Sequence, residues 1–371
     1  MLYIEIFLLV LLLLSILFGA HYLLYVSTLY FFSITNILLK QILLFGMAFF
    51  ALSFIISSLV SHWKENALTR FFYFISGLWL GILTNLMLAT IAVFAIIWFA
   101  KLIGFNGNPM ILGTILFCLA LVYSFYGAWE AFNPVIKKIS VTIPDLPENW
   151  RNKKIVQISD MHLGHIYKQE FVRQIVDKIN SINPALVVIT GDLFDGMDGN
   201  LDNICSPFSE LKLKNGIFFV TGNHETYLGI ERAYAALEKT NVKIMRDEVA
   251  DLDGLKLIGI NYPLREEKKD PVIVLESLRK DFFGKPNIFL YHTPVSIKQF
   301  SQNGINLQLS GHTHAGQLFP FEWVTKLAYK GYDYGFYQIG AYSLYVSSGT
   351  GTWGPAMRTG GKSEITVITL Q

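Results

Sequence analysis

The first third of the chain alternates between long apolar runs and short polar breaks. Four segments are apolar almost throughout, at residues 3–24, 42–60, 71–100 and 110–129. An α-helix needs about 20 such residues to cross the hydrocarbon core of a bilayer, and a longer run can cross at a tilt. Polar or helix-breaking residues separate the runs, for example at 61–70 and 101–109. The pattern predicts about four transmembrane helices within residues 1–130.

The first apolar run is expected to remain as a membrane span rather than to be removed as a signal peptide. A signal peptide begins with basic residues and has an apolar core of about 7–15 residues. Here Glu5 precedes any Lys or Arg, and the apolar run is longer. We therefore predict a multi-pass membrane protein, located in the cell membrane if its source is bacterial.

After residue 130 the pattern changes to that of a water-soluble domain. Asn133-Pro134 breaks the last apolar run, and residues 135–143 alternate between apolar and polar positions like an edge strand. We interpret residues 131–153 as a linker that contains this strand.

Residues 154–371 form the third predicted region, in which short apolar strands mix with helices. Helical spacing of apolar residues is found at 169–182 and 230–239. Strands are predicted at 154–159, 185–190, 216–221, 243–245, 255–259, 288–291, 307–310, 344–347 and 365–370. Because helices separate some strands while others follow each other directly, we expect a layered α/β sandwich rather than one uniform parallel sheet.

The distribution of charge sharpens this division. Of the 30 Lys and Arg and 28 Asp and Glu residues, residues 1–130 hold only Glu5, Lys40, Lys64, Glu65, Arg70, Lys101 and Glu130. The net charge of +2 argues against a nucleic-acid partner, which normally needs a basic face. With four spans, residues 131–371 lie on the side of the membrane that carries more of the Lys and Arg residues near the span ends. Loops rich in Lys and Arg are usually cytoplasmic, so we predict that residues 131–371 lie in the cytoplasm. Cys118 and Cys205 form no disulfide framework, which fits a reducing compartment.

The predicted spans carry few polar side chains at their centres. Ionisable residues at mid-membrane usually mark transport pathways, and we find no Asp, Glu, Lys or Arg there. Asn85 is the main polar exception, and we interpret it as a residue that hydrogen-bonds between helices. The membrane region is thus predicted to be an anchor in contact with membrane lipid. The alternative is a transporter or sensor whose output is the soluble domain.

Candidate chemistry follows the predicted strands at the point where each strand ends. The relevant segments are Asp160-Met161-His162, Gly191-Asp192-Leu193-Phe194-Asp195, Gly222-Asn223-His224-Glu225, His292 and Gly311-His312-Thr313-His314. In layered α/β proteins, ligands gather at the carboxyl ends of strands, so these segments are expected to converge. Carboxylates with imidazoles suit Mn, Fe or Zn, and the absence of a thiolate excludes a structural zinc knuckle. The number of ligands fits two divalent metal cations that share a carboxylate.

Together these segments resemble the five motif blocks of the calcineurin-like metallophosphoesterase superfamily. The resemblance covers about residues 135–371. The sequences SGHTHAGQ at 310–317 and GTGTWGP at 349–355 are most similar to bacterial membrane-associated members, which more often have Gly where Ala315 stands. The expected fold is therefore an N-terminal transmembrane helical region plus a C-terminal α/β/β/α metallophosphoesterase domain at 154–371.

The resemblance also implies a role for each residue. One metal would be held by Asp160, His162 and His314. The other would be held by Asn223, His292 and His312. Asp192 would bridge the two metals, and His224 would face the substrate phosphoryl group as the catalytic side chain. Asp195 and Glu225 are interpreted as carboxylates that support the ligands.

The implied reaction is hydrolysis of a phosphoester or pyrophosphate bond. A hydroxide that bridges two metals about 3.5–4 Å apart would attack phosphorus, while protonated His224 stabilises the developing charge and protonates the leaving oxygen. The substrate would be a phosphorylated small molecule or a lipid-linked one such as UDP-diacylglucosamine, which some relatives cleave. A non-catalytic metal-binding scaffold is the alternative.

Three further features near the motifs remain to be placed. His165 is expected either to line the pocket or to lie on the surface. Arg358, in a Gly-rich late segment, is expected on the surface, and the alternative is that it clamps the substrate phosphate in bidentate fashion. The aromatic residues between 319 and 337 are expected to form a lipid-facing lip, an apolar core or a surface that rests on the membrane.

Overall fold

A computed structural model describes residues 2–196, 199–264 and 267–371. The chain divides into two compact units. The first, which we call the helical unit, comprises residues 1–129 together with 354–357, and the second, the sheet unit, comprises 130–353 together with 358–371. The sequence did not suggest that a short segment near the C-terminus would group with the N-terminal helices.

The helical unit is built from four helices that are long and apolar enough to cross a membrane, with mean hydropathy between 2.0 and 2.5. Their bounds are α1 Leu2–Phe31, α2 Ile37–Trp63, α3 Ala67–Leu102 and α4 Pro109–Phe132. Helix α1 continues past the predicted end at residue 24 to Phe31, and hydroxyl groups in its last turns bond back to carbonyls of the helix. Thr28 Oγ1, for example, donates to the carbonyl of Leu24 at 2.7 Å.

Asparagine side chains explain where three of these helices begin. The side chain of Asn36 accepts from the backbone N–H of Leu39 before α2. Asn66 caps α3 in a reciprocal capping box with Thr69. Asn108 accepts from the N–H of Met110 at 2.9 Å, directly before the proline that starts α4. The polar breaks between the apolar runs are therefore helix caps.

Polar side chains link the helices of this unit. Asn85 Nδ2 donates to Ser124 Oγ at 2.8 Å, which joins α3 to α4 and confirms the predicted interhelical hydrogen bond. Trp79 Nε1 donates to Nε2 of His21 at 2.9 Å, which joins α3 to α1. His21 is 2% exposed. The sequence analysis missed it because only carboxylate and strongly basic residues were considered.

The segment 354–357 packs within the helical unit through its apolar side chains. Ala356 and Met357 are fully buried. Met357 Sδ lies 3.7 Å from Asn85 Nδ2, and a Cβ on Gly81 would fall 2.6 Å from the same sulfur. A larger residue at position 81 would therefore require the end of the Met357 side chain to shift.

The sheet unit contains twelve strands and seven α-helices among the residues described above. The strands are β1 Val135–Val141, β2 Lys154–Ile158, β3 Leu186–Thr190, β4 Ile217–Val220, β5 Val242–Ile244, β6 Glu248–Leu252, β7 Leu255–Gly259, β8 Asn287–Leu290, β9 Leu307–Ser310, β10 Gly335–Ile339, β11 Tyr342–Val346 and β12 Glu364–Leu370. The helices are α5 Gln169–Ile182, α6 Leu201–Cys205, α7 Asn223–Leu228, α8 Ile230–Leu237, α9 Pro271–Phe282, α10 Ile297–Gln302 and α11 Glu322–Ala328.

The strands form two six-stranded sheets, in the orders β1-β12-β2-β3-β4-β5 and β10-β11-β9-β8-β7-β6. One buried cluster joins the sheets face to face, with Ile155 and Val188 from the first and Leu257 and Leu309 from the second. Because side chains alternate along a strand, the neighbouring residues face outward and pack against helices. The layered α/β/β/α architecture predicted from the sequence is confirmed.

Helices cover the outer face of each sheet. Val156 and Val187 pack with α5, and Phe289 packs with side chains of α9 and α10. Strands β6 and β10 lie at the two opposite edges of the second sheet, where β6 pairs antiparallel with β7 and β10 pairs antiparallel with β11. Neither strand was predicted, because their residues are largely exposed and carry no continuous apolar pattern.

Parallel pairing sets the position of the site. Strands β2, β3 and β4 run parallel, with Ile158 opposite Ile189 and Thr190 opposite Val220. Strands β8 and β9 are parallel neighbours in the other sheet. The carboxyl ends of these strands therefore lie at common edges, and each is followed directly by a segment that carries predicted ligands.

Candidate metal centre

The backbone turns sharply where the predicted ligands leave the strands. Asp160, His162, Asp192, His312 and His314 all adopt positive φ, between 47° and 74°. Residues other than glycine rarely occupy this region, and such conformations cluster at functional sites. The strand-end loops thus accept local strain to orient these five side chains.

Two glycines allow the loops to approach each other. A Cβ on Gly222 would fall 2.1 Å from Oδ1 of Asp192, and a Cβ on Gly311 would fall 2.1 Å from Oδ2 of Asp160. Both distances are far below contact, so no other residue fits without displacing a carboxylate. This requirement explains why a glycine precedes Asn223 and His312 in the motifs.

The first group of converging side chains consists of Asp160, His162 and His314, whose ligand atoms lie within 4.8 Å of one another. Nε2 of His162 is 3.0 Å from Nε2 of His314, and His314 Nε2 is 3.5 Å from Oδ1 of Asp160. All three residues are buried. The grouping is the one that the family resemblance assigned to one metal.

The second group consists of Asp192, His292 and His312, within the same limit of 4.8 Å. His292 Nε2 lies 3.1 Å from Oδ2 of Asp192 and 3.0 Å from Nδ1 of His312. A third group of the same size joins Asp192 to His162 and His224. Asp192 therefore lies between the two sets of ligands, where a bridging carboxylate belongs.

Asn223 completes the predicted set. It follows β4, and its Oδ1 is buried without a hydrogen-bond donor in the described part of the chain. Its Nδ2 lies 3.5 Å from the hydroxyl of Tyr227. A buried acceptor oxygen that lacks a donor is rare in native proteins, and a cation would satisfy it. The donor set of carboxylate, imidazole and amide oxygen therefore fits borderline divalent metals.

Charge is concentrated in the pair formed by Asp192 and His292. Burial disfavours the charged forms of Asp192 and His292, but the charge on each side chain stabilises the charged form of the other. Asp192 raises the pKa of His292 to about 9, and His292 holds the pKa of Asp192 well below its usual range. In the absence of metal this pair is an ion pair, so a metal must displace the proton on His292 to bind there.

Two other ligand imidazoles, those of His312 and His314, favour the neutral form. Burial and the neighbouring His292 lower the pKa of His312 to about 3. Burial, His162 and Arg358 lower the pKa of His314. Neutral imidazole is the form that binds metal, so these side chains are ready to act as ligands near pH 7.

Backbone carbonyls fix the orientation of two rings. Nδ1 of His292 donates to the carbonyl of Thr190 at 2.8 Å, which leaves Nε2 for the ligand side. Nδ1 of His224 donates to the carbonyl of Asp195 at 2.9 Å. The backbone N–H of His224 also donates to Oδ1 of Asp192 at 2.9 Å, so this residue is anchored at both ends.

Asp195 and Glu225 lie behind the ligands. Oδ1 of Asp195 is 3.4 Å from Nδ1 of His162. Glu225 is fully buried and accepts from the backbone N–H groups of Asp192 at 3.1 Å, Phe194 at 3.0 Å and Gly222 at 2.6 Å. Burial and the charge on Asp192 raise the pKa of Glu225 to about 7. Both carboxylates therefore hold the loops and rings that carry the ligands.

Arg358 is not on the surface, as the sequence analysis expected, but is 1% exposed. Its guanidinium donates to the carbonyls of Gly351 at 2.7 Å and His314 at 3.1 Å, and its Nη2 lies 3.4 Å from Nδ1 of His314. The expectation was wrong because its partners are backbone carbonyls, which side-chain patterns do not reveal. His165 is 4% exposed, so its surface alternative is also wrong.

Aromatic side chains surround the ligand groups. The rings of Tyr227 and Trp353 lie 5.2 and 6.1 Å from that of His224. The rings of Tyr262 and Tyr329 lie 6.5 and 6.0 Å from that of His312. Tyr227 and Trp353 are 65% and 57% exposed. Of the four, the sequence had drawn attention only to Tyr329, as one of the aromatic residues between 319 and 337, because an isolated aromatic residue carries no pattern.

A cavity of about 620 Å³ lies beside one of these rings. It is lined by residues 294–299, which follow His292 by two positions, and by Ala328, Tyr329 and Lys330. Tyr329 thus borders both this cavity and His312.

The fold and the site together define an α/β/β/α domain with a candidate metal centre at the carboxyl ends of its strands. Comparison with known proteins identifies the family of the chain. The model of the calcineurin-like phosphoesterase family matches residues 153–316. An uncharacterized metallophosphoesterase of Helicobacter pylori strain J99 is 36% identical over 259 residues, which cover 68% of this chain and 69% of that protein.

Two further relatives are similar to this chain, and one of them is named a transmembrane protein. An uncharacterized metallophosphoesterase of Campylobacter jejuni is 32% identical over 351 residues, covering 90% of this chain and 93% of that protein. A transmembrane protein with metallophosphoesterase domain from Danio rerio is 33% identical over 286 residues, covering 70% of this chain and 62% of that protein. The chain belongs to the metallophosphoesterase family. Its four apolar helices agree with membrane association.

Proposed function

We propose that the protein is a membrane-anchored phosphoesterase that holds two divalent cations. The observation that carries this proposal is the position of Asp192, whose carboxylate lies between two groups of buried ligands. Asp160, His162 and His314 hold one cation, and Asn223, His292 and His312 hold the other. Mn, Fe and Zn all match this mixture of oxygen and nitrogen ligands.

The chemistry that two such cations supply is Lewis acidity, which polarises the phosphoryl group and lowers the pKa of the attacking water. The residues around the cations hold the ligands in position. Glu225 and Asp195 keep the ligand loops and the His162 ring in place through the hydrogen bonds described above. The chain thereby fixes the geometry before the substrate arrives, so little reorganisation is needed in the transition state.

His224 is proposed as the catalytic side chain. Its Nδ1–H is held by the carbonyl of Asp195, so Nε2 is the atom that can take and release a proton. Burial and His162 lower the pKa of His224, so the imidazole is neutral before substrate binds. The sequence analysis expected a protonated ring. We infer that Nε2 of His224 takes up a proton when the anionic phosphoryl group binds. The Nε2–H group then stabilises the developing charge and protonates the leaving oxygen.

We further propose a lipid-linked phosphoester or pyrophosphate as substrate, with UDP-diacylglucosamine as the first candidate. Four apolar helices keep every copy of the enzyme at a bilayer, where lipid-linked substrates are concentrated. The excess of basic residues on one side of the helices places the sheet unit at the cytoplasmic face in this proposal.

The test is hydrolysis by the purified full-length protein loaded in turn with Mn, Fe or Zn. The panel is an aryl phosphodiester, an aryl phosphomonoester and UDP-diacylglucosamine. Asp192→Ala is the inactive control. A clear preference for UDP-diacylglucosamine supports the lipid substrate, whereas activity on the aryl esters alone supports only the phosphoesterase.

The alternatives predict different results in the same assay. A non-catalytic scaffold binds metal but turns over nothing in the panel. The complete ligand set and the anchored His224 count against it. A transporter or sensor requires that changes in the helical unit alter turnover, which the Asn85 variants described below examine.

A further inference from the structure

Helix α11 presents apolar side chains to solvent on the sheet unit. Trp323, Val324 and Leu327 are 65%, 61% and 83% exposed, and the preceding Phe321 is 47% exposed. Residues spaced by three and four positions share one side of a helix, so Leu327 is a neighbour of both Trp323 and Val324. We call these four side chains the α11 face. A contiguous exposed face of this kind marks an interaction surface.

The helix is held firmly against the metal centre. A Cβ on Gly316 would fall 2.2 Å from the backbone nitrogen of Glu322, so the first turn of α11 rests on the turn that carries His314. At the other end, the ring of Tyr329 lies 6.0 Å from that of His312. The α11 face therefore belongs to a helix whose two ends contact the two ligand groups.

Charge and composition indicate what covers this face. Lys326 and Lys330 are exposed within and just after the helix. Trp and Phe with flanking Lys are typical of helices that lie in the bilayer interface, where cations meet lipid phosphates. The same chain carries four helices apolar enough to cross a membrane, so a bilayer is a partner that every copy has.

We propose that the α11 face inserts into the interfacial layer of the bilayer, with Lys326 and Lys330 directed to lipid phosphates. Insertion brings the metal centre to the level of phosphate esters at the membrane surface. The membrane contact stands independently, while its benefit for turnover rests on the proposed function.

The first test measures lipid contact and needs no activity. Full-length Cys118→Ser protein carries a fluorophore on Leu327→Cys, in vesicles of phosphatidylcholine and phosphatidylglycerol that contain spin-labelled lipid. The matched control is Ile273→Cys on α9, whose native side chain is 65% exposed in the same unit. Quenching at 327 but not at 273 is the expected result. Equal quenching at both positions, or none at 327, overturns the proposal.

The second test connects the face to catalysis. Leu327→Glu and Val324→Glu are compared with Ile273→Glu on a vesicle-embedded phosphate ester and on a water-soluble aryl phosphodiester. We expect kcat/KM on the embedded ester to fall about tenfold for the α11 variants only, since burial of one aliphatic side chain is worth about that factor. Unchanged soluble turnover shows that the enzyme is intact.

The remaining outcomes separate the two proposals. Loss of soluble turnover in the α11 variants indicates a structural role and contradicts a membrane surface. Cross-linking of 327 to a second copy, without lipid quenching, assigns the face to self-association instead. If quenching is present but no ester is cleaved by the unaltered protein, the proposed function fails and the membrane contact stands.

Discussion

The helical unit and the sheet unit both bury polar side chains, but of different kinds. In the helical unit the buried polar side chains described are hydroxyls, one amide and the imidazole of His21, as in the contact between Asn85 and Ser124. In the sheet unit, Asp160, Asp192 and Arg358 are each at most 2% exposed. An unpaired buried charge costs far more than a buried amide or hydroxyl, so charges are buried only where partners or metals compensate them.

The difference between the two units shows which buried polar groups indicate a metal-binding or catalytic site. The bond from Asn85 joins two helices and leaves no strong charge. The carboxylates of the sheet unit instead converge with imidazoles whose nitrogens face one another at 3.0 Å. Variants in each unit test whether activity depends on one kind of buried polar group and not on the other.

Replacing Asp192 with alanine should have the largest effect. Because its carboxylate lies between both ligand groups, we expect metal content to fall and kcat/KM to drop by about 1000-fold or more. Metal is measured by mass spectrometry on the purified protein. The control is Asp202→Asn, a carboxylate whose side chain is 51% exposed and pairs with Lys239. Normal metal content in Asp192→Ala would contradict the bridging role.

Replacing His224 with alanine should separate catalysis from metal binding. We expect kcat to fall by about 100-fold or more with metal content unchanged, because His224 acts on the phosphoryl group. The same metal measurement is paired with steady-state kinetics. A variant that loses metal together with activity would show that His224 is a ligand.

Removing Arg358 should affect both stability and turnover. Arg358→Ala removes a donor from the carbonyl of Gly351 and one of two donors described for the carbonyl of His314, which also accepts from the N–H of Gln317. A buried acceptor left unsatisfied costs about 1–3 kcal/mol. We expect the unfolding midpoint to fall by about 5 °C or more and kcat/KM to fall about tenfold as His314 shifts. Arg358→Lys should recover part of each. Calorimetry showing an unchanged midpoint would contradict the buried network.

The pH dependence of metal binding should follow His292. Because its pKa is raised to about 9, the metal-free ring is protonated below that value and the proton competes with metal. Apparent affinity should therefore rise about tenfold per pH unit from pH 6.5 towards 9 and then level off. Titration calorimetry in buffers of different ionisation enthalpy should show proton release at pH 7. Affinity that is flat over this range would contradict the ion pair.

Asn85 variants should have the smallest effect. Asn85→Ala removes one interhelical hydrogen bond, worth about 0.6 kcal/mol in a membrane bundle. We expect a slight loss of resistance to denaturing detergent and no change in turnover, with Ser124→Ala as the matched variant. A large loss of turnover in both would favour an active role for the helices over an anchor.

The sequence was informative where chemistry follows a strong local pattern. The apolar strands β2, β3, β4, β8 and β9 are each followed at once by polar ligand residues. The proximity of Asp160, Asp192 and His312 could therefore be expected from the position of these residues at strand ends. The number and approximate positions of the four long helices followed from length and hydropathy, but each helix extends beyond the predicted apolar run. What could not be predicted depends on tertiary neighbours that carry no pattern. Arg358 is buried by carbonyls of a glycine-rich loop, and β6 and β10 are exposed edge strands.

Helix α11 lay outside the prediction for a related reason. Phe321 and Trp323 belong to the aromatic residues between 319 and 337 that the sequence analysis considered. The sequence does not show whether such side chains are exposed. The same holds for the segment 354–357, where only the three-dimensional structure shows that Ala356 and Met357 are fully buried.

That short segment has a practical consequence for anyone who wishes to produce the catalytic part alone. Deleting residues 1–129 removes the helices with which residues 354–357 group. The truncated polypeptide would then expose Ala356 and Met357 to water and would be prone to precipitate. Exchanging Met357 for a polar residue should therefore improve the yield of a soluble fragment.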